Sequence, residues 1–217
     1  MPGVRLQPCG DSALLITLAE TIDPAINARV HALAARLRAA QAPGLGEAVP
    51  AYGALLVHYD ATRLDYPAVE AVVSSAAEAL ETQAAAPARQ VVIPVVYGGA
   101  AGPDLGFVAR HTGLTPAAVV QLHTSREYRV YLMGFTPGFP YLGELDERLV
   151  VPRLETPRLR VPAGSVGLAG RQTGIYPLES PGGWRLIGRT DLTLFDPAAP
   201  EPFRLAPGDL VRFVAVE

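Results

Sequence analysis

Glycine and proline are concentrated between residues 134 and 190, and this concentration limits the fold more than any other feature. The segment is about a quarter of the 217-residue chain, yet it holds 10 of the 21 glycines and 7 of the 21 prolines. Helical periodicity ends near Tyr128, and short apolar runs follow at 129–133, 166–169, 184–187 and 210–215. Short runs separated by turn residues are typical of a closed or nearly closed β-barrel with irregular loops.

The first half of the chain alternates strand and helix signals in the order ββαββαβ. Asp23 and Pro24 provide an N-cap and a first-turn proline for a helix that runs through Gln41. Apolar residues at helical spacing predict a second helix over 65–80, and four of the five strands in this order are placed at 4–6, 13–18, 54–59 and 91–97. These elements predict a helix-backed, largely antiparallel sheet.

A small, alanine-rich stretch at 83–89, broken by Pro87, is the best candidate for a domain boundary. We therefore predict two domains, an α/β domain at 1–88 and a β-barrel domain at 89–217. Two short helices are expected early in the second domain, one opening at 103–105 and one capped by Thr115 and Pro116. The predicted fold class is α+β, mostly β.

All eighteen basic residues are arginine, and the chain has no lysine. This excludes a Walker A lysine, a Schiff-base lysine and a covalent biotin attachment in this chain. A net charge of −3 and a pI near 5.8 argue against a nucleic-acid binder. The single cysteine, Cys9, excludes an internal disulfide and a cysteine-rich metal site. Without a membrane-length apolar run or a secretory signal, we expect a cytoplasmic protein with no membrane contact.

Standard catalytic signatures are absent: the sequence has no HExxH, GxGxxG or P-loop motif, and the spacing of its four histidines predicts no metal site. The run 163–167 only approaches a GxSxG elbow, because Ala163 replaces the first glycine. His123 has two open interpretations. It is either a general acid or base, or a residue that completes a helix C-terminus and is favoured there by the helix dipole.

Three stretches combine closely spaced glycines with aromatic, arginine and hydroxyl side chains: 131–143, 157–177 and 180–190. The glycines predict close backbone approach to a ligand, the arginines and hydroxyls suit an oxygen-rich group, and the aromatic rings can wall an apolar slot. The alternative is architectural, with turn-rich loops packing their aromatics onto their own barrel. The coincidence of three such stretches favours a binding site.

At these stretches the sequence resembles a known family. The strings GFTPGFPYLGELD, PRLRVPAGSVGLAGRQTGIYPLESPGGWRLIGRT and LFDP…PGDLVRF are similar to those of the PxpB/KipI family, also described as allophanate hydrolase subunit 1 or carboxyltransferase subdomain C/D. The similarity extends over nearly the whole chain, including GDSALLITL and VPAYGALLVHYD. It implies a small N-terminal α/β sandwich domain followed by a cyclophilin-like β-barrel domain.

The resemblance also implies a function: the B-type subunit of a bacterial ATP-dependent 5-oxoprolinase, which converts 5-oxoproline to glutamate. The implied partners are a C-type carboxyltransferase-like subunit and an A-type subunit, and the implied co-substrate is ATP with Mg²⁺, handled jointly with the partner. In such a heteromer, residues 134–190 are expected to form an exposed face rather than a sealed pocket. Under this hypothesis the residues expected to bind oxygen are Arg160, Ser165, Gln172, Thr173, Tyr176 and Arg189, with Phe139 and Tyr141 as pocket walls.

Other functions remain open within the same resemblance. Some members of the family inhibit a histidine kinase, and older family names refer to urea carboxylase or allophanate hydrolase. A biotin-dependent role would need a separate carrier, because this chain has no lysine. A peptidyl-prolyl isomerase is suggested only by the implied barrel, and a shared fold does not carry function.

Overall fold

The computed structural model describes residues 4–78 and 88–217. The chain divides into two compact units, Met1–Pro87 and Ala88–Glu217. Most of the predicted boundary stretch, and the last two residues of the predicted helix over 65–80, lie outside the described residues. No helix within the described ranges has the length and apolar character needed to cross a membrane.

The first unit is a four-stranded antiparallel sheet covered by two helices. Its elements are β1 (Arg5–Pro8), β2 (Ala13–Thr17), α1 (Pro24–Ala40), β3 (Leu45–Pro50), β4 (Ala54–Tyr59) and α2 (Tyr66–Glu78). The strand order is β1-β2-β4-β3. Leu14 and Ile16 of β2 and Leu55 of β4 are fully buried against Val30 and Leu33 of α1. The alternating pattern of β2 and β4 therefore buries one face of the sheet under the helices.

Local hydrogen bonds fix where α1 begins and how it sits on the sheet. The carboxylate of Asp23 accepts hydrogen bonds from the backbone N–H groups of Ala25 and Ile26 at 2.8 and 2.9 Å, as an N-cap should. Asn27 is fully buried, and its Nδ2 donates to the carbonyl oxygens of Ala51 and Tyr52. This side chain ties the first turn of α1 to the loop between β3 and β4.

The second unit is a closed seven-stranded barrel with helical and loop additions. Its elements are β5 (Gln90–Tyr97), α3 (Leu105–Thr112), α4 (Pro116–Thr124), β6 (Glu127–Met133), β7 (Pro140–Gly143), a 3₁₀ helix (Glu147–Leu149), β8 (Arg158–Val161), β9 (Ser165–Ala169), β10 (Gln172–Ile175), β11 (Ser180–Gly182), β12 (Arg185–Arg189) and β13 (Leu210–Val216). The barrel order is β10-β7-β6-β13-β5-β12-β9, and β8 with β11 forms a separate two-stranded sheet.

The barrel closes through strands from the two ends of this unit. β5 and β13 pair in parallel from Gln90 opposite Leu210 to Val96 opposite Val216. Arg89 reinforces this pair, because its guanidinium binds the carboxylate of Asp209 at 2.6 and 3.1 Å and the carbonyl oxygen of Arg204 at 2.8 Å. The core lies inside the barrel, where strand residues pack with the inward faces of α3 and α4.

The predicted combination of an N-terminal α/β sheet and a C-terminal barrel is confirmed. The predicted α4 is also confirmed, and Thr115 caps it by accepting from the Ala118 N–H at 3.2 Å. One grouping was wrong. The order ββαββαβ counted the strand at 91–97 with the first-half sheet, although the predicted boundary put it in the second domain; it is a barrel strand that pairs with β13.

Candidate functional site

Five aromatic side chains form a cluster on the second unit, here called the aromatic face: Phe135, Phe139, Tyr141, Tyr176 and Trp184. Phe139 is central, with its ring centroid 5.0 to 5.5 Å from the centroids of the other four in edge-to-face contacts. Such contacts are the favoured arrangement of aromatic rings. The cluster is separate from the barrel core and lies across β7, β9, β10 and β12, whose alternate side chains point into the barrel.

Three glycines make room for these rings. A Cβ on Gly174 would lie 2.9 Å from Phe139 and 3.0 Å from Trp184, and one on Gly167 would lie 2.9 Å from Trp184. A Cβ on Gly182 would overlap the Tyr176 ring and hydroxyl. The interpretation that these glycines open the backbone to a ligand was therefore wrong at these positions, since the chain's own aromatics fill the space.

Phe135 lies at the rim of the aromatic face in an unusual backbone conformation. Its φ is +65°, in the left-handed region that non-glycine residues rarely adopt, and 60% of its surface is exposed. The next residue, Thr136, has its hydroxyl oxygen buried with no hydrogen-bond partner in the described chain. Strained backbone beside an exposed apolar ring is often found where a protein contacts a ligand or partner.

Arginines lie beside the two tyrosines of the aromatic face. Burial raises the pKa of both hydroxyls, and the positive charge of Arg153 opposes that rise at each of them. Arg158 adds a further positive charge near Tyr176. Its Nη2 binds the carboxylate of Asp104 at 2.8 Å, while its Nη1 is buried and finds no partner within the described residues.

The two arginines predicted to bind oxygen already have partners in the chain. Arg160 forms an exposed ion pair with Glu179, with Nη2 2.7 Å from Oε1. Arg189 donates from Nε to the carbonyl oxygen of Ala163 at 2.9 Å. Both guanidiniums are exposed and retain free donors, so their proposed role in ligand binding stays a prediction.

The remaining predicted residues divide between the aromatic face and the barrel wall. Phe139 and Tyr141, the predicted pocket walls, meet in the aromatic face together with Tyr176, which was predicted to bind oxygen. Ser165 is almost completely buried on β9, and Gln172 is half-buried on β10. Thr173 is fully buried, and its side chain faces the barrel interior. The structure therefore does not bring the six oxygen-binding candidates together at one surface.

Thr173 belongs instead to a hydrogen-bonded chain through the barrel. Its hydroxyl donates to the carbonyl oxygen of Gly167 at 3.1 Å, which leaves it to accept from Nε2 of His123 at 3.0 Å. Nδ1 of His123 then accepts from the hydroxyl of Tyr97 at 2.7 Å. Every donor points the same way, so the chain assigns the Nε2-protonated tautomer.

His123 lies in the last turn of α4, as the second interpretation predicted, but the helix dipole is not the reason and a role as general acid or base is not supported. The residue is fully buried in the described fold, so it cannot exchange protons with a substrate at the surface. Burial lowers the pKa of its imidazole to about 3, so the ring is neutral at physiological pH and gains nothing from a helix dipole. Its role is to connect α4 with β5 and β10.

A charged depression, which the sequence did not single out, lies elsewhere on the second unit. It has a volume of about 370 Å³ and is lined by Arg126, Glu144, Leu145, Asp146, Glu147, Arg148 and Arg171. Its charges pair with one another: Asp146 with Arg148 at 2.9 Å, and Arg171 with Glu144 at 3.1 Å. The hydrogen bonds from Arg148 hold the pKa of Asp146 well below its usual range. The run Glu144–Arg148 is dense in charge and was the signal that could have located it.

Metal binding has no obvious candidate in the described ranges, where no three His, Cys, Asp or Glu side chains are grouped to hold an ion. The aromatic face is open only at its rim, where Phe135 is exposed and Tyr141 is half-buried, because Phe139, Tyr176 and Trp184 are buried. The arrangement offers apolar rings, two tyrosine hydroxyls and arginine donors. The chemistry of its rim suits a partly apolar group with an anionic end.

Comparison with known proteins gives concordant matches. The profile of the family described as carboxyltransferase domain, subdomain C and D, matches residues 4–205. The chain is 48% identical to the B subunit of 5-oxoprolinase from Escherichia coli O157:H7, over 99% of this chain and 97% of that protein. It is 44% identical to the B subunit of 5-oxoprolinase from Bacillus subtilis strain 168, over 98% of this chain and 92% of that protein.

Among solved structures, the crystal structure of TTHA0988 superposes on the chain with a TM-score of 0.84 at 44% sequence identity. The match covers 94% of this chain but 39% of the TTHA0988 chain. The chain therefore spans about two fifths of that relative, which carries a large further region.

Proposed function

Since the chain belongs to the carboxyltransferase-domain family of subdomains C and D, the family of the 5-oxoprolinase B subunits, we propose that it is the B-type subunit of a bacterial ATP-dependent 5-oxoprolinase. The observation that carries this proposal is identity of 44 to 48% to 5-oxoprolinase B subunits over nearly the whole length of both partners. At that level the fold and the site are expected to be shared along the whole chain.

The proposed reaction opens the lactam ring of 5-oxoproline to give glutamate. The γ-phosphoryl group of ATP passes to the lactam oxygen and ADP leaves. Water then breaks the C–N bond of the ring, and a second water releases phosphate. Phosphoryl transfer depends mostly on positioning and on fixed donors that stabilise the developing negative charge.

This chain is proposed to supply only part of those donors. It has no lysine, so the phosphates of Mg²⁺–ATP would be held here by arginine and backbone N–H groups, with the partner supplying the rest. The exposed ring of Phe135 at the rim of the aromatic face is consistent with a site shared between two proteins. The further region in TTHA0988 supports the same idea, since that relative carries additional sequence on one chain.

The proposed partners are a C-type carboxyltransferase-like subunit, which would complete the site, and an A-type subunit, which would complete ring opening. A reconstitution experiment tests this assignment. The purified chain is mixed with both partners, and phosphate release and glutamate formation are measured with and without 5-oxoproline. We expect both products only when all three proteins, ATP and 5-oxoproline are present.

The control omits the C-type subunit, which should abolish the 5-oxoproline-dependent phosphate release. If the complete mixture hydrolyses no ATP in response to 5-oxoproline, the proposed function is wrong.

A further inference from the structure

The surroundings of Tyr141 and Tyr176 contain hydrogen-bond donors that the protein does not use. In the described part of the chain, the guanidinium of Arg153 makes no hydrogen bond and no ion pair, although it is exposed on the second unit. Nη1 of Arg158 and the hydroxyl of Ser180 are buried without a partner among the same residues. Buried donors of this kind are rare in folded proteins and often mark the place of an absent ligand.

The backbone on both sides of Arg153 is fixed against the aromatic face. The carbonyl oxygen of Pro152 accepts from Nε of Arg185 at 3.2 Å, and the N–H of Leu154 donates to the carbonyl oxygen of Gly183 at 2.7 Å. These two bonds place Arg153 alongside Trp184, whose ring centroid lies 5.9 Å from that of Tyr141. The backbone hydrogen bonds of its two neighbours therefore fix the position of Arg153 beside the aromatic face.

Arg158 lies on the same side and is held more rigidly. Its Nη2 is bound to Asp104, and β8 pairs Arg158 with Gly182, the residue over which the Tyr176 hydroxyl lies. The carboxylate of Asp104 also accepts from the N–H of Leu186 at 2.7 Å. Both oxygens of that carboxylate are thus engaged, and Arg158 keeps Nη1 available for another acceptor.

The carboxylate of Asp104 pairs with Arg158, and the charges that act on the two tyrosines are positive. The charged side chains that act on Tyr141 and Tyr176 are Arg153 and Arg158, and no carboxylate among the described residues is among them. The guanidinium of Arg153 and Nη1 of Arg158 are donors without a matching acceptor among the described residues. A guanidinium binds carboxylate and phosphoryl oxygens with two parallel hydrogen bonds, so the missing acceptor fits an oxyanion.

We propose that Arg153 binds an oxyanion of the ligand, carboxylate or phosphoryl, beside the half-buried Tyr141 at the edge of the aromatic face. This rests on the proposed function for its choice of ligands, which are the carboxylate of 5-oxoproline and the phosphates of ATP. It assigns the anion to Arg153 in preference to Arg160 and Arg189, whose guanidiniums already bind Glu179 and the carbonyl oxygen of Ala163.

Trp184 is the single tryptophan of the chain and provides a direct reporter of binding. Its fluorescence is titrated in the isolated chain and in the complex with 5-oxoproline, with the uncharged carboxamide of 5-oxoproline, and with inorganic phosphate. We expect a saturable change with at least one of the two anions and none with the carboxamide. The anion that gives the change identifies which source of oxyanion the site takes.

Substitutions then test whether Arg153 is responsible. R153Q should weaken anion binding by about tenfold or more, the usual effect of losing a charged hydrogen bond, and R153K should recover part of the loss. The matched control is R212Q, because Arg212 is also an exposed arginine but lies on β13, away from the aromatic face. R212Q should bind like the wild type.

Kinetics of the reconstituted complex separate the two sources. If Arg153 holds the carboxylate, R153Q raises KM for 5-oxoproline about tenfold and leaves KM for ATP unchanged. If it holds a phosphate, the effect falls on KM for ATP. Absence of any anion-dependent fluorescence change in the wild type, or equal anion affinity in wild type and R153Q, overturns the proposal. An inactive wild-type complex would instead contradict the proposed function, and the fluorescence titrations would still decide the oxyanion site.

Discussion

His123 shows how one buried residue can control stability through pH. Its ring is fully buried, lies 4.5 Å from the ring of Phe213, and is joined by hydrogen bonds to Tyr97 and Thr173. Protonating it would place a charge in the barrel and leave the Tyr97 hydroxyl facing a donor. The folded barrel therefore requires a neutral ring, and His123 binds a proton more weakly in the folded state than in the unfolded chain.

This difference predicts a loss of stability under mild acid. The pKa of His123 is about 3 in the folded protein and 6.5 in the unfolded chain, so between these values the unfolded state binds more protons. The free energy of unfolding should fall as pH drops below 6.5, by about 1 to 2 kcal/mol between pH 7 and pH 5. Denaturant unfolding followed by Trp184 fluorescence measures it. His123→Gln should be less stable at pH 7 but vary less over this range, and an equal slope in both proteins would contradict the explanation.

Phe135 combines an exposed ring with an unfavourable backbone conformation. A left-handed conformation costs a non-glycine residue about 1 kcal/mol, and asparagine adopts it more readily. Phe135→Asn should therefore change thermal stability little, because relief of strain offsets the lost contacts with Phe139 and Tyr176. If the exposed ring contacts ligand or partner, 5-oxoproline-dependent ATP hydrolysis should fall about fivefold or more.

Val92→Thr is the control for Phe135→Asn, since Val92 is 58% exposed on β5. It should leave both stability and activity near wild-type values. Full activity of Phe135→Asn would show that the ring has no functional contact.

At the scale of elements, Asp104 is the point where three pieces of the second unit meet. It lies at the N-terminus of α3, binds Arg158 of β8, and exchanges two hydrogen bonds with the backbone of Leu186 in β12. A two-stranded sheet is too small to be stable by itself, and these hydrogen bonds attach the sheet of β8 and β11 to α3 and β12. The position of Arg158 therefore depends on Asp104.

Asp104→Asn should destabilise the barrel by about 2 kcal/mol, because it removes the charge that satisfies a half-buried guanidinium. The free energy is measured by denaturant unfolding with Trp184 fluorescence. Arg160→Gln provides the comparison: its pair with Glu179 is exposed on both sides and should contribute no more than about 0.5 kcal/mol. Equal effects of the two substitutions would show that Asp104 does not hold the junction together.

The sequence predicts elements best where the signal is local. The starts of α1 and α4 were predicted from Asp23 with Pro24 and from Thr115 with Pro116. These signals are local, because a capping side chain acts within three residues of its own position. The family strings likewise locate Phe139, Tyr141 and Tyr176. The partners of a side chain are set by folding, however, so nothing in the sequence showed that Arg160 has a carboxylate beside it or that, among the described residues, Arg153 has none.

At the scale of the whole molecule, the parallel pairing of β5 with β13 could not be predicted from the sequence either. Two strands separated by more than one hundred residues carry no local signal of their register, and a closed barrel needs that pairing to remove its edges. The consequence is that the second unit holds both strands that close it. Its core residues come from Ile93 onward, so its main packing is contained in residues 88–217.

We therefore predict that a fragment comprising residues 88–217 folds without the first unit. It should show a cooperative thermal transition and the Trp184 fluorescence of the whole chain, because β5, β13 and the clamp between Arg89 and Asp209 are all present. A second fragment that begins at Gln90 lacks Arg89 and leaves the carboxylate of Asp209, 7% exposed, without its cation. It should unfold at lower denaturant, with a loss of about 1 to 3 kcal/mol. If the 88–217 fragment shows no cooperative transition, the barrel depends on the first unit and the proposed domain division is wrong; if the two fragments are equally stable, the clamp does not secure barrel closure.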